Sequence, residues 1–496
     1  MTAGTGRLKA GLTPRAARIV FGDNGDAGID LELPYITEID EAHLVMLTEC
    51  GLIGADSAAK LLVEIRSLRH NGFLPLRGRP APRGTYLLYE DYLIKTLGAD
   101  VGGVLHTGRS RNDLKATMHH MRMRRLVLTV LAGLLRLQAV LLSRARRHRM
   151  TVMPAYSQYQ PATPVSYGYY LLGIAESLDR DILGVLQACD GLHRCPLGAA
   201  SGTGTDIAID ATRTAQLLGF SQPVEHAAYA IASRDTLVRL MSACVMAGLT
   251  LSRLAADLQL WSTPEFGMIG FPDSLVGSSS AMPQKRNPFL LEHIKGGSGV
   301  LIGAWTSAVT NIKNAPFGNS VEVSTEAVAP IWPGVERLTD VIQLAISVVA
   351  GARPCPGAML RSADEGFTVA TAMANQLVGQ GLPFRIAHRA IGSLITELLA
   401  SPDGQTLDSR LDRILAAEGV SQHVHLTDAD LDPAAVSAAT DFGGGPGPRS
   451  FTAAQHRMTG AWRDYVRAVS DWSDRLRIAD RDRSRAVENL IGGHHA

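Results

Sequence analysis

Residues 114–150 read "LKATMHHMRMRRLVLTVLAGLLRLQAVLLSRARRHRM". Apolar side chains return every three or four positions with no proline between them, so the spacing predicts one helix of more than thirty residues. The basic cluster Arg144 to Arg149 suits a solvated helix end, where cations oppose the negative pole of the macrodipole. The greasiest part, Val127 to Leu142, contains Arg136 and falls short of the ~20 residues a membrane span needs, so it reads as a buried helix. "SYGYYLLGIAESLDRDILGVLQACDGL" (166–192), "DTLVRLMSACVMAGLTLSRLAADLQLWST" (235–263) and "VERLTDVIQLAISVVAGA" (335–352) repeat the pattern, and a further apolar helix follows Pro288. Helices this long, apolar over so wide a face, imply an all-α bundle packed from more than one chain.

Composition narrows the function. Hydrophobic residues make up 46% of the 496, and the net charge is +1. Mean hydropathy is +0.07. Nothing in that balance calls for nucleic acid or an anionic membrane as partner. The five cysteines (Cys50, Cys189, Cys195, Cys244, Cys355) lack metal-ligand spacing, and their odd number argues against a disulfide framework. The N-terminal residues lack an apolar signal core, so a reducing cytoplasm is expected, with no metal and no cofactor. Turn signals at "PLRGRPAPRG" (75–84), "ARPCPGAM" (352–359) and "DFGGGPGPRS" (441–450) divide the chain. Three units are expected: 1–112 of short helices, 113–360 of long ones, and 361–496. The last opens with a helical stretch at 368–395.

Three polar stretches interrupt the apolar background. "HTGRSRND" (106–113) offers a hydroxyl, a guanidinium fork and an amide in Ser110, Arg111 and Asn112, a set able to grip a carboxylate. It reads equally as a helix start, with a Ser or Asn cap and Asp in the first turn. "PAYSQYQPATP" (154–164) reads as a bent polar corner between helices. "VGSSSAMPQKRNPFLLEHIK" (276–295) is too polar for a core and too punctuated for a helix. A Gly/Ser loop leaves backbone N–H groups free for a close ligand, and Lys285 and Asn287 add a point charge and an amide.

"GSSSAMPQKRNP" resembles the signature loop of the aspartase/fumarase superfamily, and "LHTGRSRND" resembles its argininosuccinate lyase branch. Further likenesses lie at "PLGAASGTGTDIAID" (196–210), "SRDTL" (233–237), "LSRLAADLQLWSTPEF" (251–266) and "GLPFRIAH" (381–388). The resemblance implies a three-domain all-α fold whose central five-helix bundle forms a twenty-helix core in a homotetramer. It implies that each active site draws the three polar stretches from three subunits. The implied reaction is reversible elimination from a succinyl group, releasing fumarate. Such chemistry must stabilise an aci-carboxylate, for which Lys285, Asn287 and the loop N–H groups are suited. Ser110, Arg111 and Asn112 would hold the carboxylates with help from Ser157, and Tyr156 and Arg234 would support the site. The family's general base is a serine of this loop. Anchoring on Gly277 selects Ser278; anchoring on Met282-Pro283 selects Ser279, which is preferred because its distance to Lys285 matches the family. Ser280 is the third candidate.

Departures from argininosuccinate lyase fall on one side of the substrate. The family's Gly-Tyr-Thr-His-Leu-Gln is here Ala155 to Gln160, so its histidine is Gln158, while the glutamate paired with it is kept as Glu292. Glutamine cannot titrate. At "KNAPFGNSVEVSTEA" (313–327) the tyrosine, glutamine and lysine that grip arginine become Asn319, Ser324 and Ala327. Where the family has Glu-Asp-Ile-His, its histidine aligns with Leu87 of "GTYLLYEDY" (84–92). The expectation is a C–N lyase acting on another N-substituted aspartate, as ethylenediamine-disuccinate lyase does. An orthodox argininosuccinate lyase is the alternative, and a crystallin-like structural protein is the alternative of another class.

Overall fold

The computed structural model describes residues 11–22, 26–400 and 406–494. Helices α1 (Leu33–Glu49), α2 (Ala55–His70) and α3 (Thr85–Leu97) build an N-terminal layer with its own core, including Ile39, Leu62, Tyr89 and Leu105. α4 (Arg111–Arg147) then runs uninterrupted for 37 residues, about 55 Å at 1.5 Å per residue. Its start is locally encoded. The Ser110 side chain and Asp113 form a reciprocal capping box, and Arg144, Arg146 and Arg147 occupy the last turn.

The corner after α4 is not the irregular link expected for 154–164. It is an antiparallel hairpin of β1 (Val152–Ser157) and β2 (Gln160–Ser166), whose register shifts between Pro154 and Tyr156. Its two turn residues, Gln158 and Tyr159, both have positive φ (52° and 63°). That is the conformation a two-residue hairpin needs to match strand twist, and it is usually given to Asn-Gly. Without glycine or alternating apolar residues, the turn had no sequence signature.

α5 (Tyr167–Ala188), α6 (Asp235–Trp261), α7 (Phe289–Ile312) and α8 (Ile331–Gly351) complete a five-helix bundle with α4. Val130, Leu137, Leu171, Cys244, Leu301 and Leu338 lie in one continuous core. The helices alternate in direction. Tyr170 at the start of α5 packs edge-on against Trp261 at the end of α6, with ring centroids 4.6 Å apart. Glu292 at the start of α7 accepts a hydrogen bond from Gln259 at 3.0 Å. Arg122, about three turns in from the Ser110 end of α4, stacks over Trp332 at the start of α8. One end therefore carries the hairpin and the serine loop, and the opposite end carries Ser110.

The helical stretch expected at 368–395 is split into α9 (Ala370–Gly379) and α10 (Phe384–Ala400), separated where Gly381 takes φ +103°. With α11 (Leu407–Ala417) they enclose a small separate core that includes Leu377, Leu394 and Leu415. α12 (Pro448–His494) leaves that unit and lies back along α4. Trp462 donates to the Leu135 carbonyl at 2.9 Å, Trp472 joins the bundle core, and Val487 joins the N-terminal core.

Candidate active site

Ser110 serves as the cap of α4, accepting from the Asn112 N–H at 3.3 Å, and it also presents Arg111 and Asn112 at the surface of that end. The two readings of this stretch are compatible. Asp113 anchors the arrangement. One carboxylate oxygen accepts from the Ser110 N–H at 2.9 Å, and the other accepts from Gly198 and Ala200 at 3.0 and 2.8 Å. Burial pushes the Asp113 carboxyl up, and those three N–H groups oppose the push. They pin the "PLGAASGTGTD" loop beside "HTGRSRND", and a cavity of ≈ 400 Å³ opens between the two, lined by Gly108, Ala200, Thr203 and Asp206 among others.

Beneath this loop lies a charge network that the sequence did not disclose. The Arg109 and Asp40 side chains are fully buried and paired at 2.6 Å. Tyr89 donates to Asp40 at 2.8 Å, and Arg109 donates to the Tyr86 hydroxyl at 3.3 Å. His106 Nδ1 lies 3.0 Å from both that hydroxyl and Glu90. His43, pushed well down by burial and neutral, donates from Nε2 to the Thr107 carbonyl at 2.8 Å. Arg109 stood inside a quoted motif, but Asp40 lies on another helix and has no local signal. Arg109→Met strands a buried carboxylate, and it is expected to cost about 3–5 kcal/mol of stability. Denaturant unfolding measures this, and an unchanged midpoint would show that the pair is dispensable.

At the opposite end, Tyr156 sits against Trp261 and Phe266 and its hydroxyl meets Ser362 at 3.4 Å. Ser157 and Gln158 are exposed at the hairpin tip. The serine loop is closed by a two-residue antiparallel pairing, Gly277 with Asn287 and Ser278 with Arg286. Arg286 is bound to Asp273 at 2.5 Å and to the Phe271 carbonyl at 3.0 Å, so it holds the loop base. Lys285 is exposed, and the Asn287 amide donates to the Ser278 carbonyl at 3.4 Å. Of the three serines, Ser279 is the one whose Oγ accepts backbone hydrogen bonds, from Met282 at 3.1 Å and Ala281 at 3.4 Å. Glu292 is exposed on the first turn of α7.

Arg234 caps the start of α6. It is buried and donates to the carbonyls of Ile231 and Ser233 at 2.9 and 2.8 Å, while its Nε and one terminal nitrogen have no hydrogen-bond partner among the described residues. Burial pulls it down to about 10. The 313–327 segment links α7 to α8 at this same end. There Asn319 is exposed, Ser324 half-buried and Ala327 fully buried. Within one chain, then, Ser110, Arg111, Asn112, Arg234, Asn319 and Ser324 gather at one end of the bundle. Tyr156, Ser157, Gln158, Ser278 to Ser280, Lys285, Asn287 and Glu292 gather at the other.

Comparison with known proteins places this architecture. Residues 85–303 match a family model described as "Lyase". Argininosuccinate lyase of Methanosarcina mazei is 33% identical over 418 residues, 83% of this chain and 84% of that one. Argininosuccinate lyase 1 of Shouchella clausii is 29% identical over 482 residues, 96% and 97% of the two chains. The crystal structure of EDDS lyase in complex with formate superposes with a TM-score of 0.86 at 26% identity, covering 98% of this chain and 97% of that one. A variant of EDDS lyase with bound fumarate superposes equally well. A class II fumarase from Schistosoma mansoni shares the fold at a TM-score of 0.68. The chain is therefore a carbon–nitrogen lyase, and it belongs to the argininosuccinate lyase-like branch of the aspartase/fumarase superfamily.

Proposed function

We propose that the protein reversibly eliminates an amine other than arginine from an N-substituted aspartate, giving fumarate. The observation that carries this reading is the asymmetry of the site. Groups suited to a succinyl half are retained, while Asn319, Ser324 and Ala327 stand where the argininosuccinate lyases grip arginine. Ala327 is fully buried, so no cation reaches substrate from that position. A hydrogen-bonding site stripped of a partner loses ~1–3 kcal/mol per group, so three such changes remove most arginine recognition. EDDS lyase, whose backbone matches this one along nearly its whole length, supports the same view.

In this reading Ser279 takes the Cβ proton, the C–N bond breaks, and the electron pair from the C–H bond becomes the new double bond. The N–H groups of Met282 and Ala281 point at Ser279 Oγ and favour its anionic, basic form. Lys285, Asn287 and free loop N–H groups stabilise the aci-carboxylate, and Ser110, Arg111, Asn112 and Ser157 hold the carboxylates. Glu292 and Tyr156 support the hairpin side. Gln158 supplies no proton, so the amine leaves with a proton from water or from its own second nitrogen.

The α4 rod separates Ser110 from the serine loop, so a working site combines chains. The homotetramer is supported by the bundle surface. Met246 and Leu249 on α6 and Val300 and Ile302 on α7 are exposed apolar residues, and the open glycines Gly296, Gly299 and Gly303 allow close helix approach. The small-molecule reaction is placed in the cytoplasm.

The test is kcat/KM for argininosuccinate against N-substituted aspartates such as ethylenediamine-disuccinate. The latter class is expected to be faster. If argininosuccinate leads, with a value in the ~10⁴–10⁸ M⁻¹s⁻¹ range of ordinary enzymes, the protein is an orthodox argininosuccinate lyase, as its sequence relatives are named.

A further inference from the structure

Away from both ends of the bundle, a cavity of ≈ 250 Å³ lies between the N-terminal layer, α4 and α12. Four guanidiniums, Arg69, Arg124, Arg125 and Arg483, line it against two carboxylates, Glu38 and Asp480. Its floor is buried and its mouth is open: Arg124 and Arg483 are 3% and 4% exposed, whereas the Arg125 side chain is half exposed and that of Arg69 a third.

The cations are only partly neutralised. Arg125 chelates Glu38 at 2.7 and 2.8 Å, and Arg69 approaches the same carboxylate at 3.5 Å. Glu41, behind the lining, is shared among Arg66, Arg69 and Arg483 at 3.7, 3.8 and 3.1 Å. Among the described residues Arg124 has no carboxylate partner. Two of its nitrogens donate to the Leu218 and Gly219 carbonyls, Phe220 lies 3.9 Å from its guanidinium carbon, and its Nε is left without an acceptor. One terminal nitrogen of Arg69 is likewise buried with no hydrogen bond. Arg483 is also paired with Asp480, so Arg124 is the buried guanidinium of the lining left short of counter-charge, and its burial is costly unless an anion completes the set.

We propose that this cavity is a binding site for a small dianion, a phosphate or a dicarboxylate, distinct from the active site. The planar forks of Arg69, Arg124 and Arg125 suit two-point contact with either group. The cavity's size admits a small molecule and excludes a polymer.

Isothermal titration of the full-length enzyme with inorganic phosphate and, separately, succinate at low ionic strength tests it. Each titration is repeated on Lys285→Ala, which disables the proposed serine-loop site. Arg69→Gln is the probe because Arg125 still pairs Glu38 and two other arginines still serve Glu41. Saturable binding of at least one anion is expected, surviving Lys285→Ala. Arg69→Gln should weaken it about ten- to a hundredfold, the worth of one charged hydrogen bond, and Arg69→Lys should restore most of it. Should Arg69→Gln misfold, Arg125→Gln at the open mouth takes its place. Absence of saturable binding by either anion, binding indifferent to the arginine variant, or binding lost with Lys285 overturns the proposal.

Discussion

Ser279→Ala is expected to lower turnover by ~10²–10⁴-fold, the usual worth of a positioned general base, while the protein keeps its fold. The basis is local geometry. Ser279 Oγ already accepts two backbone N–H groups, so negative charge on that oxygen is the best supported of the three serines. The side chain is only half-buried and packs into no core, so its loss removes chemistry rather than packing. The measurement is kcat beside circular dichroism of the same sample. Near-normal kcat in Ser279→Ala, with a collapse in Ser278→Ala or Ser280→Ala, would transfer the role to that serine.

The second large effect is a gain. Arg111→Ala and Lys285→Ala are each expected to be inactive alone and to recover measurable activity when mixed and allowed to exchange subunits. Arg111 opens α4, and Lys285 lies just before α7 at the far end of the bundle. About 55 Å of helix separates those ends, far more than one substrate spans. A site using both residues must take them from different chains, so in the proposed tetramer a hybrid contains some sites with both intact. Exchange is followed with an independent label. Silent mixtures after proven exchange would mean that each site is built within one chain.

Much of this molecule was legible before folding because its strongest signals are short-range. The 3.6-residue period of 114–150, the Ser110 and Asp113 cap and the basic last turn are written within a few neighbouring residues, and α4, at Arg111–Arg147, is offset from that stretch by three residues at each end. The loop read at 441–450 and the serine loop announce themselves by glycine, proline and serine in the same local way, although α12 takes over from Pro448. The substitutions at Gln158, Asn319, Ser324 and Ala327 could also be read from aligned motifs alone.

Other features exist only once distant segments meet. The hairpin at 152–166 rests on pairing between strands that individually look like proline-rich linkers, with a turn made by two residues that rarely choose left-handed backbone. Asp40 becomes the partner of Arg109, and Glu38 and Glu41 become acceptors for an arginine cluster, because α1 is laid across α4 and α12. Helix α12 reads as part of a C-terminal unit until packing sends it back along the bundle. The separation of the polar stretches to opposite ends of one rod also follows from packing. Local periodicity makes a helix, but only antiparallel docking of five of them decides which residues share an end. The physical reason is range: caps and periods act within one or two turns, whereas burial and charge pairing act between any surfaces the fold brings into contact.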